Sequence, residues 1–390
     1  MEGWGINPAF FVILDRSNQP IMKLGYDAKR AFLNTSGLGN YSRNTLNGLI
    51  KYFPKNTYSL FTTEVKVAML KQQEAFEIVA PPRKLSGLKK TIWRNFKLSG
   101  EIKSRQIDLY HGLSNELPRG IHKTGIPALV TIHDLIFLRY PEFYKFFDRL
   151  IYRYKVRYAC KAATKIIAIS EQTKADIVEF TGTSPDKIEV IHQAISPLFF
   201  EKVDTSKIKE KYRLPDQFIL AVGTIEERKN QLSILKALQA KNLDIPLVMI
   251  GNPTSYCNDI HKYVAAQKIQ KQVIILKNIP EKDLAGIYQL ATLSIYISVF
   301  EGFGLPVIEA MASGCPVITS NVSCLPETAG DAAILCSPGN IEELGNSIQK
   351  LISDDYFRSQ LIEKGRLRAN EFQTGKYVEK LVKLYQKIVG

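Results

Sequence analysis

Two glutamates stand eight positions apart in the stretch Val299–Pro316, VFEGFGLPVIEAMASGCP. A β-type run, Leu293–Ser298, feeds a loop that holds Glu301, Gly302, Phe303 and Gly304. Pro306 then opens a short helix, since its fixed φ and missing N–H suit a first helical position. Gly314 and Pro316 close it. A glycine-bearing loop at a helix N-terminus leaves backbone N–H groups free to meet an anion. Glu301 precedes the loop and Glu309 lies in the helix, so helical pitch does not bring the two carboxyls together. They could accept hydrogen bonds from sugar hydroxyls, act as an acid/base pair of the glycosidase type, or be surface carboxylates.

Three further constellations carry potential chemistry. In Gly223-Thr224-Ile-Glu-Glu-Arg228-Lys229-Asn230 two adjacent cations sit at a strand-to-helix turn. Arginine can grip a phosphate through two donors while lysine adds a compact charge, so together they could neutralise a diphosphate leaving group. A solvated charge cluster is the alternative. His133-Asp134 ends a buried-looking strand, Leu129–Ile132, where a histidine could touch a substrate hydroxyl or be satisfied by structural hydrogen bonds. Gly37-Leu-Gly39 lies in a loop between strand and helix, either approaching a phosphate or sugar closely or only making a tight turn. The full dinucleotide pattern is absent, because Ser42 stands where its third glycine would be.

The elements that must position these residues alternate. Strand-like runs occur at Met22–Asp27, Tyr58–Thr62, Ile78–Val79, Leu109–His111, Ala128–Ile132, Lys165–Ile169 and Lys187–His192, with helical stretches between most of them. The pattern loosens over Ile195–Lys207 and resumes with runs at Phe218–Val222, Pro246–Ile250, Val273–Leu276, Leu293–Ile297, Val317–Thr319 and Ala333–Leu335. Helices at Ile341–Ile352, Tyr356–Asn370 and Tyr377–Ile388 close the chain. Such alternation predicts an α/β protein of two tandem Rossmann-like, doubly wound domains with a ligand cleft between them. The expected divisions are 22–200, 201–372 and a terminal helix over 373–390. Residues 1–21 read as an N-terminal extension or a misassigned start, because Met22 would itself begin a domain.

A chain of 390 residues is longer than single cores usually grow. With 45% hydrophobic and 23% charged residues it has ordinary globular composition. No run approaches the ~20 apolar residues of a membrane span, and the short run Ala9–Leu14 lacks the basic lead of a secretory signal. Five scattered cysteines without Cys-x-x-Cys spacing point to reduced thiols in the cytoplasm and give zinc no support. Charge is uneven: residues 1–205 carry 30 Lys+Arg against 19 Asp+Glu, the remainder 22 against 19. Arg83–Arg105 holds eight of those cations among Leu88, Ile92, Trp93 and Phe96, so it is either an interfacial amphipathic helix or a core-facing helix with a basic outer surface. Phe143–Lys165, also basic and rich in Tyr and Phe, is read as a packed domain helix. Neither contains a nucleic-acid-binding module.

Taken together, these motifs resemble the retaining glycosyltransferases of family 4, built on the GT-B fold. The resemblance runs from Met22 to the end and is most specific in FEGFGLPVIEAMASGCPVI, the family's Glu-x7-Glu motif. MKLGYDAKR, SGLGNYSRNTL, VTIHDLIFLRYPEFY, IIAISEQTKADI, VGTIEERKN and FQTGKYVEKLVKLY support it. It implies that the second domain binds a sugar nucleotide, the first an acceptor, and that the last helix crosses back to the first domain. Glu309 would then hold the ribose, Gly304 and Leu305 would offer N–H groups to the diphosphate, and Glu301 would contact the hexose. Arg228 and Lys229 would stabilise the departing diphosphate, His133 would lie beside the reacting carbon, and Gly37 and Gly39 would line the facing wall. Gly223, Thr224, Gly302 and Phe303 complete the implied donor site. Two positions depart from the pattern: Thr224 replaces a frequent arginine, for which Arg228 is expected to compensate, and Gln373 replaces a frequent tryptophan.

The implied reaction is retaining transfer of a hexose without a metal or other cofactor, since no Asp-x-Asp motif is present. The segments HDLIFLRYPEFY and GTIEERKN resemble polysaccharide mannosyltransferases, making GDP-mannose the first-choice donor and UDP-hexoses the alternative. The acceptor would be a glycan or lipid-linked saccharide, with peripheral contact at the inner face of an anionic membrane. A sugar-nucleotide epimerase or hydrolase of the same fold, or a non-catalytic nucleotide-sugar-binding protein, are the competing readings.

Overall fold

The computed structural model describes residues 20–35, 37–65, 70, 72–82 and 87–390. The predicted N-terminal extension therefore lies outside the described residues except for Pro20 and Ile21, as do Ser36, Arg83 and Lys84. A first sheet contains β1 (Lys23–Asp27), β2 (Thr57–Phe61), β3 (Glu77–Val79), β4 (Leu109–Gly112), β5 (Ala128–Ile132), β6 (Lys165–Ala168) and β7 (Ile188–Val190). Its order is β3-β2-β1-β4-β5-β6-β7. A second contains β8 (Ile219–Val222), β9 (Leu247–Ile250), β10 (Val273–Leu276), β11 (Leu293–Tyr296), β12 (Val317–Ser320) and β13 (Ile334–Cys336), in the order β10-β9-β8-β11-β12-β13.

Every strand pair is parallel. Parallel strands are covered by helices on both faces, which is why they read as continuous apolar runs rather than alternating ones. All five residues of β5 and all four of β9 are buried accordingly. In both sheets the order of strand addition reverses beside the first strand, between β1 and β4 and between β8 and β11. Crevices at the carboxyl ends of the strands open at such switch points.

Six helices matter for the site: α1 (Gly37–Tyr52), α2 (Phe146–Ala162), α3 (Glu171–Thr181), α4 (Gln231–Ala240), α5 (Leu305–Ala312) and α6 (Thr374–Val389). The terminal helix α6 leaves the second domain and packs on α1. Val378, Leu381, Val382 and Tyr385 join the first domain's core beside Leu46 and Leu49. Gly48 permits the contact, because a Cβ there would lie 2.5 Å from Thr374 Cγ2. Buried hydroxyls then fix the register: Tyr377 donates to Tyr41 Oη at 2.7 Å, and Tyr385 Oη meets His111 Nδ1 at 2.7 Å. The C-terminal turn therefore stitches the two domains together from the first domain's side.

Both basic segments are helical where described, but they pack differently from one another. The segment 87–104 buries Trp93, Leu98 and Ile102 and contains a π-helical stretch, Trp93–Lys97. It is the core-facing helix of the two alternatives. Of the seventeen residues of α2, by contrast, Val156, Ala159 and Cys160 are buried. Its first half stands largely in solvent, so the expected domain helix packs through its second half.

Candidate functional site

The stretch Val299–Pro316 folds as strand, loop and helix. After β11 the chain runs through Ser298 to Glu301, and α5 starts at Leu305 with Pro306 in its first turn. Gly304 caps α5 at φ +101°, a conformation that side chains with a Cβ rarely adopt. The loop is pinned from β12's side: Ser323 Oγ donates to the Glu301 carbonyl at 2.6 Å and accepts from the Glu301 N–H at 3.2 Å.

Glu301 is the hub of the charged cluster. Lys229 Nζ lies 2.6 Å and Arg228 Nη1 2.7 Å from Glu301 Oε1, and the Ser298 hydroxyl donates to the same oxygen. The Lys229 ammonium also donates to the Tyr296 hydroxyl and sits over that ring, while its stem passes Gly223. Arg228 pairs in addition with Glu226 at 2.6 Å and donates to the Phe300 carbonyl at 2.7 Å. Burial alone would raise the Glu301 carboxyl, but Lys229 and Arg228 outweigh it and hold it at about 2. Burial lowers Lys229 despite Glu301 beside it, whereas the arginine, with Glu301 and Glu226 opposing its burial, is raised and stays charged. The cluster thus joins two cations to Glu301, with Glu226 on the outer side of Arg228, at the carboxyl ends of β8 and β11.

Glu309, on α5, experiences the opposite environment. Burial, and then the like charge of Glu281, push its carboxyl up to about 8. The Tyr288 hydroxyl donates to Oε2 at 3.4 Å, a long bond that offsets little of that. At neutral pH Glu309 is largely protonated.

The first domain supplies the facing wall. His133 follows β5, its backbone N–H donating to Asn115 Oδ1 at 2.8 Å. Its Nε2 lies 2.8 Å from the Leu113 carbonyl and its ring meets Tyr41 edge-on at 4.6 Å. Burial holds the imidazole down at about 4, so it is neutral at pH 7. A carbonyl can only accept, so Nε2 carries the proton and Nδ1 is left as the acceptor. Asp134 turns the chain through a bond from the Ile136 N–H, 3.2 Å. Burial raises its carboxyl, with Arg228 pulling it down and Glu301 pushing it up, which places it electrostatically within the same cluster.

The walls touch at Gly302. A Cβ on that residue would lie 2.1 Å from the His133 carbonyl oxygen and 3.1 Å from Asp134 Cβ. Only glycine permits this approach. Around the contact, Ser170 at the N-terminus of α3 donates to the Gly302 carbonyl at 2.8 Å. Glu327 accepts the Glu171 backbone N–H at 2.9 and 3.0 Å and meets His192 Nε2 at 2.7 Å.

Most expected site residues converge here: His133, Gly223, Arg228, Lys229, Glu301, Gly302 and Gly304 belong to one cluster of contacts. Gly37, Gly39 and Phe303 are placed differently from the expectation. Gly37 and Gly39 are not in a loop before a helix but form the first turn of α1, where the space a Gly39 Cβ would need is filled by the Asn34 carbonyl, 1.9 Å away. Phe303 turns its ring inward against His192 and Phe372, so its part in the loop is backbone only. Thr224 is partly buried and its carbonyl accepts from Gln231 Nε2 at 2.9 Å.

Sequence reading missed Tyr296, Ser298, Ser170, His192 and Glu327. Ser170 and Thr173 had a signal in the Ser-x-x-Thr start of a helix, a capping pattern. Tyr296 and Ser298 had one only in their place on the run leading to Glu301. Glu327 and His192 lie 135 positions apart with no local pattern linking them. Among the described residues no three His, Cys, Asp or Glu converge as metal ligands, and no helix is long and apolar enough to cross a membrane.

Comparison with known proteins matches both halves of the chain. Residues 36–197 fit the model described as Glycosyltransferase Family 4, and residues 203–368 that of Glycosyl transferases group 1. An O-antigen chain mannosyltransferase B of Escherichia coli is 29% identical over 272 residues, covering 68% of this chain and 70% of that protein. The serotype-specific mannosyltransferase WbdA of the same organism is 26% identical over 65% of this chain, which spans a third (33%) of its length. The structure of Anabaena Alr3699/HepE in complex with UDP and glucose superposes with a TM-score of 0.74 at 15% identity, covering 94% of this chain and 100% of that one.

Proposed function

The chain belongs to the family 4 glycosyltransferases, and we propose that it moves a hexose from a nucleoside-diphosphate sugar to a saccharide acceptor with retention at the anomeric carbon. The observation that carries this reading is the meeting of Lys229, Arg228 and Glu301 with His133 across the Gly302 contact. As the bond to the diphosphate breaks, negative charge grows on the leaving oxygen and positive charge on the sugar ring. Fixed cations at a buried site lower the first cost, because their dipoles and charges need no reorganisation. Glu301, held ionised at about 2, suits a hexose hydroxyl and the developing ring charge. The neutral His133, with its acceptor Nδ1, suits a second sugar hydroxyl. Water exclusion at the Gly302 contact favours transfer over hydrolysis.

Mannose from GDP-mannose is the first-choice donor, supported by the relatives named as O-antigen and serotype-specific mannosyltransferases. A UDP-hexose is the alternative, supported by the UDP complex of Alr3699/HepE, where the likeness is one of fold. Lipid-linked or free glycan in polysaccharide synthesis is the proposed acceptor. The five buried free thiols fit a cytoplasmic setting. Lys229 and Arg228 fill the charge-neutralising role, so the proposal requires no metal.

The test is product analysis of the purified protein with GDP-mannose and UDP-hexoses, with and without acceptor, in the presence of chelator. Acceptor-dependent product with an α-configured donor giving an α-linkage is the expected result. Free hexose or an epimerised donor formed equally well without acceptor would overturn it in favour of a hydrolase or epimerase, and donor binding without turnover would leave a binding protein. Loss of turnover in chelator, restored by a divalent cation, would remove metal independence alone.

A further inference from the structure

We infer that the first half of α2 and the adjoining face of the segment 87–104 form a docking surface for an anionic lipid bilayer. The inference extends the reading of a lipid-linked acceptor but stands on the surface itself. Phe146, Leu150 and Tyr154 repeat every four residues, with Phe147 and Ile151 beside them, so they form one stripe along α2. They are 61%, 49%, 54%, 75% and 50% exposed in that order. The stripe faces away from Val156, Ala159 and Cys160, the residues α2 buries. A helix of a globular protein ordinarily turns its polar side outward. Here both sides are apolar, and the outward one has nothing among the described residues covering it.

The stripe continues across a groove of about 400 Å³ whose lining includes Leu117, Ile151, Tyr154 and Tyr158. Arg119 bridges its far side, its guanidinium lying 5.2 Å from the Tyr154 ring and 5.5 Å from that of Phe96, itself 63% exposed. Two neighbouring elements thus present aromatic side chains to solvent with a cation between them.

The surrounding charge identifies the occupant. The basic residues of this region divide into two sets. Arg94 pairs with Asp27 and Glu116, Lys155 with Glu116, Lys90 with Glu64, and Arg105 with Glu77 and Glu101. These belong to the fold. Lys89, Lys97, Lys145, Arg153 and Arg157 are exposed and make no ion pair among the described residues. Arg153 and Arg157 lie on one row of α2 next to the aromatic stripe. Exposed aromatics rimmed by unpaired cations match the headgroup–acyl boundary of an anionic membrane, where rings sit below the headgroups and each cation adds attraction. A second copy of the same face would bring these like charges together, which opposes self-association through it.

The experiment is co-sedimentation of the full chain with vesicles of phosphatidylcholine alone and of phosphatidylcholine with about one third phosphatidylglycerol. The wild-type protein is expected to partition at least about tenfold better into the anionic vesicles at low salt, the preference shrinking as salt rises. Phe147→Ser/Ile151→Ser and, separately, Arg153→Glu/Arg157→Glu should each lower anionic binding about tenfold or more. All four side chains are exposed, so both variants should keep the wild-type thermal transition. Transfer to a water-soluble acceptor should remain unchanged, which separates failure of docking from failure of the catalytic reading. Equal partitioning into both vesicle types, or wild-type binding by both variants, would overturn the inference. So would a wild-type dimer in sedimentation equilibrium that Phe147→Ser/Ile151→Ser dissolves, since the face would then join copies of the chain.

Discussion

Glu301 and Glu309 share a residue type, a motif and one short strand–loop–helix unit, yet the fold sets their carboxyls near 2 and near 8. Burial acts on both in the same direction. The difference lies in the company each keeps: two cations and a serine hydroxyl within hydrogen-bond distance of Glu301, against one distant tyrosine hydroxyl and a like charge for Glu309. Environments that push two carboxyls apart in this way assign them different work. Glu301 is a fixed negative charge, suited to lie beside the reacting centre of the proposed transfer. Glu309 is a polar group able to donate as well as accept, suited to paired hydroxyls such as those of a ribose.

The largest break in this contrast is expected from Lys229→Ala. It removes the nearer cation from Glu301, lets that carboxyl rise toward the usual range, and deprives the leaving diphosphate of one charge. Turnover should fall about 10²–10³-fold, measured as kcat at saturating donor and acceptor. A loss below tenfold would place the leaving-group charge elsewhere. Lys229→Arg, which keeps the charge but cannot reach both Glu301 and Tyr296 in the same geometry, should recover only part of it.

Glu301→Gln attacks the same pair from the acid side. A carboxyl whose folded value lies below its unfolded one stabilises the protein above the unfolded value and loses that contribution as pH falls through the folded one. For Glu301 the window runs from about 4.5 down to about 2. Wild type should exceed Glu301→Gln by about 3 kcal/mol at pH 6–7, read from denaturant unfolding, and the gap should shrink below pH 4.5. A gap independent of pH would mean that the carboxylate is not held down by its partners.

Glu309→Gln should show the reverse. A carboxyl raised on folding favours the protonated state, so wild-type stability falls as pH rises from about 4.5 to about 8. The isosteric amide escapes that loss and should gain on wild type across this window by about 2 kcal/mol, discounted for the partial exposure of the side chain. A constant difference from pH 5 to pH 9 would refute the raised carboxyl.

The same contrast shows what the sequence could and could not disclose. All thirteen strands of the described residues and the terminal helix were legible, because strands buried on both faces leave unbroken apolar runs between turn residues. Val273–Leu276 and Ala128–Ile132 have their ends where the pattern puts them. The strand–loop–helix build of the stretch that holds Glu301 and Glu309 was legible for the same local reasons. Their opposite charge states were not, since they depend on Lys229, 72 positions away, and on burial together with the like charge of Glu281, on a different helix. The close approach of Gly39 to the Asn34 carbonyl was not legible, because a glycine needed for close packing looks the same in sequence as one needed for a ligand. On α2, apolar residues at helical spacing read as a core face, and only the packed structure reveals that half of them face solvent. The Gly302 contact and the Glu327 carboxylate at the start of α3 join residues from different domains, and no local pattern records such pairs.

Tyr288→Phe offers the smallest and most selective test. The Tyr288 hydroxyl is the one group that favours ionised Glu309, and its 3.4 Å distance makes that support weak. Its removal should push the Glu309 carboxyl further up, by about half a unit to one unit, with a stability change within about 1 kcal/mol. The observable is the pH at which the gain of Glu309→Gln over its parent levels off, compared in the wild-type and Tyr288→Phe backgrounds. It should move to higher pH in the latter. A shift to lower pH would show that the hydroxyl instead accepts from a protonated Glu309, and the two carboxyls would then differ by charge alone rather than by charge and hydrogen bonding together.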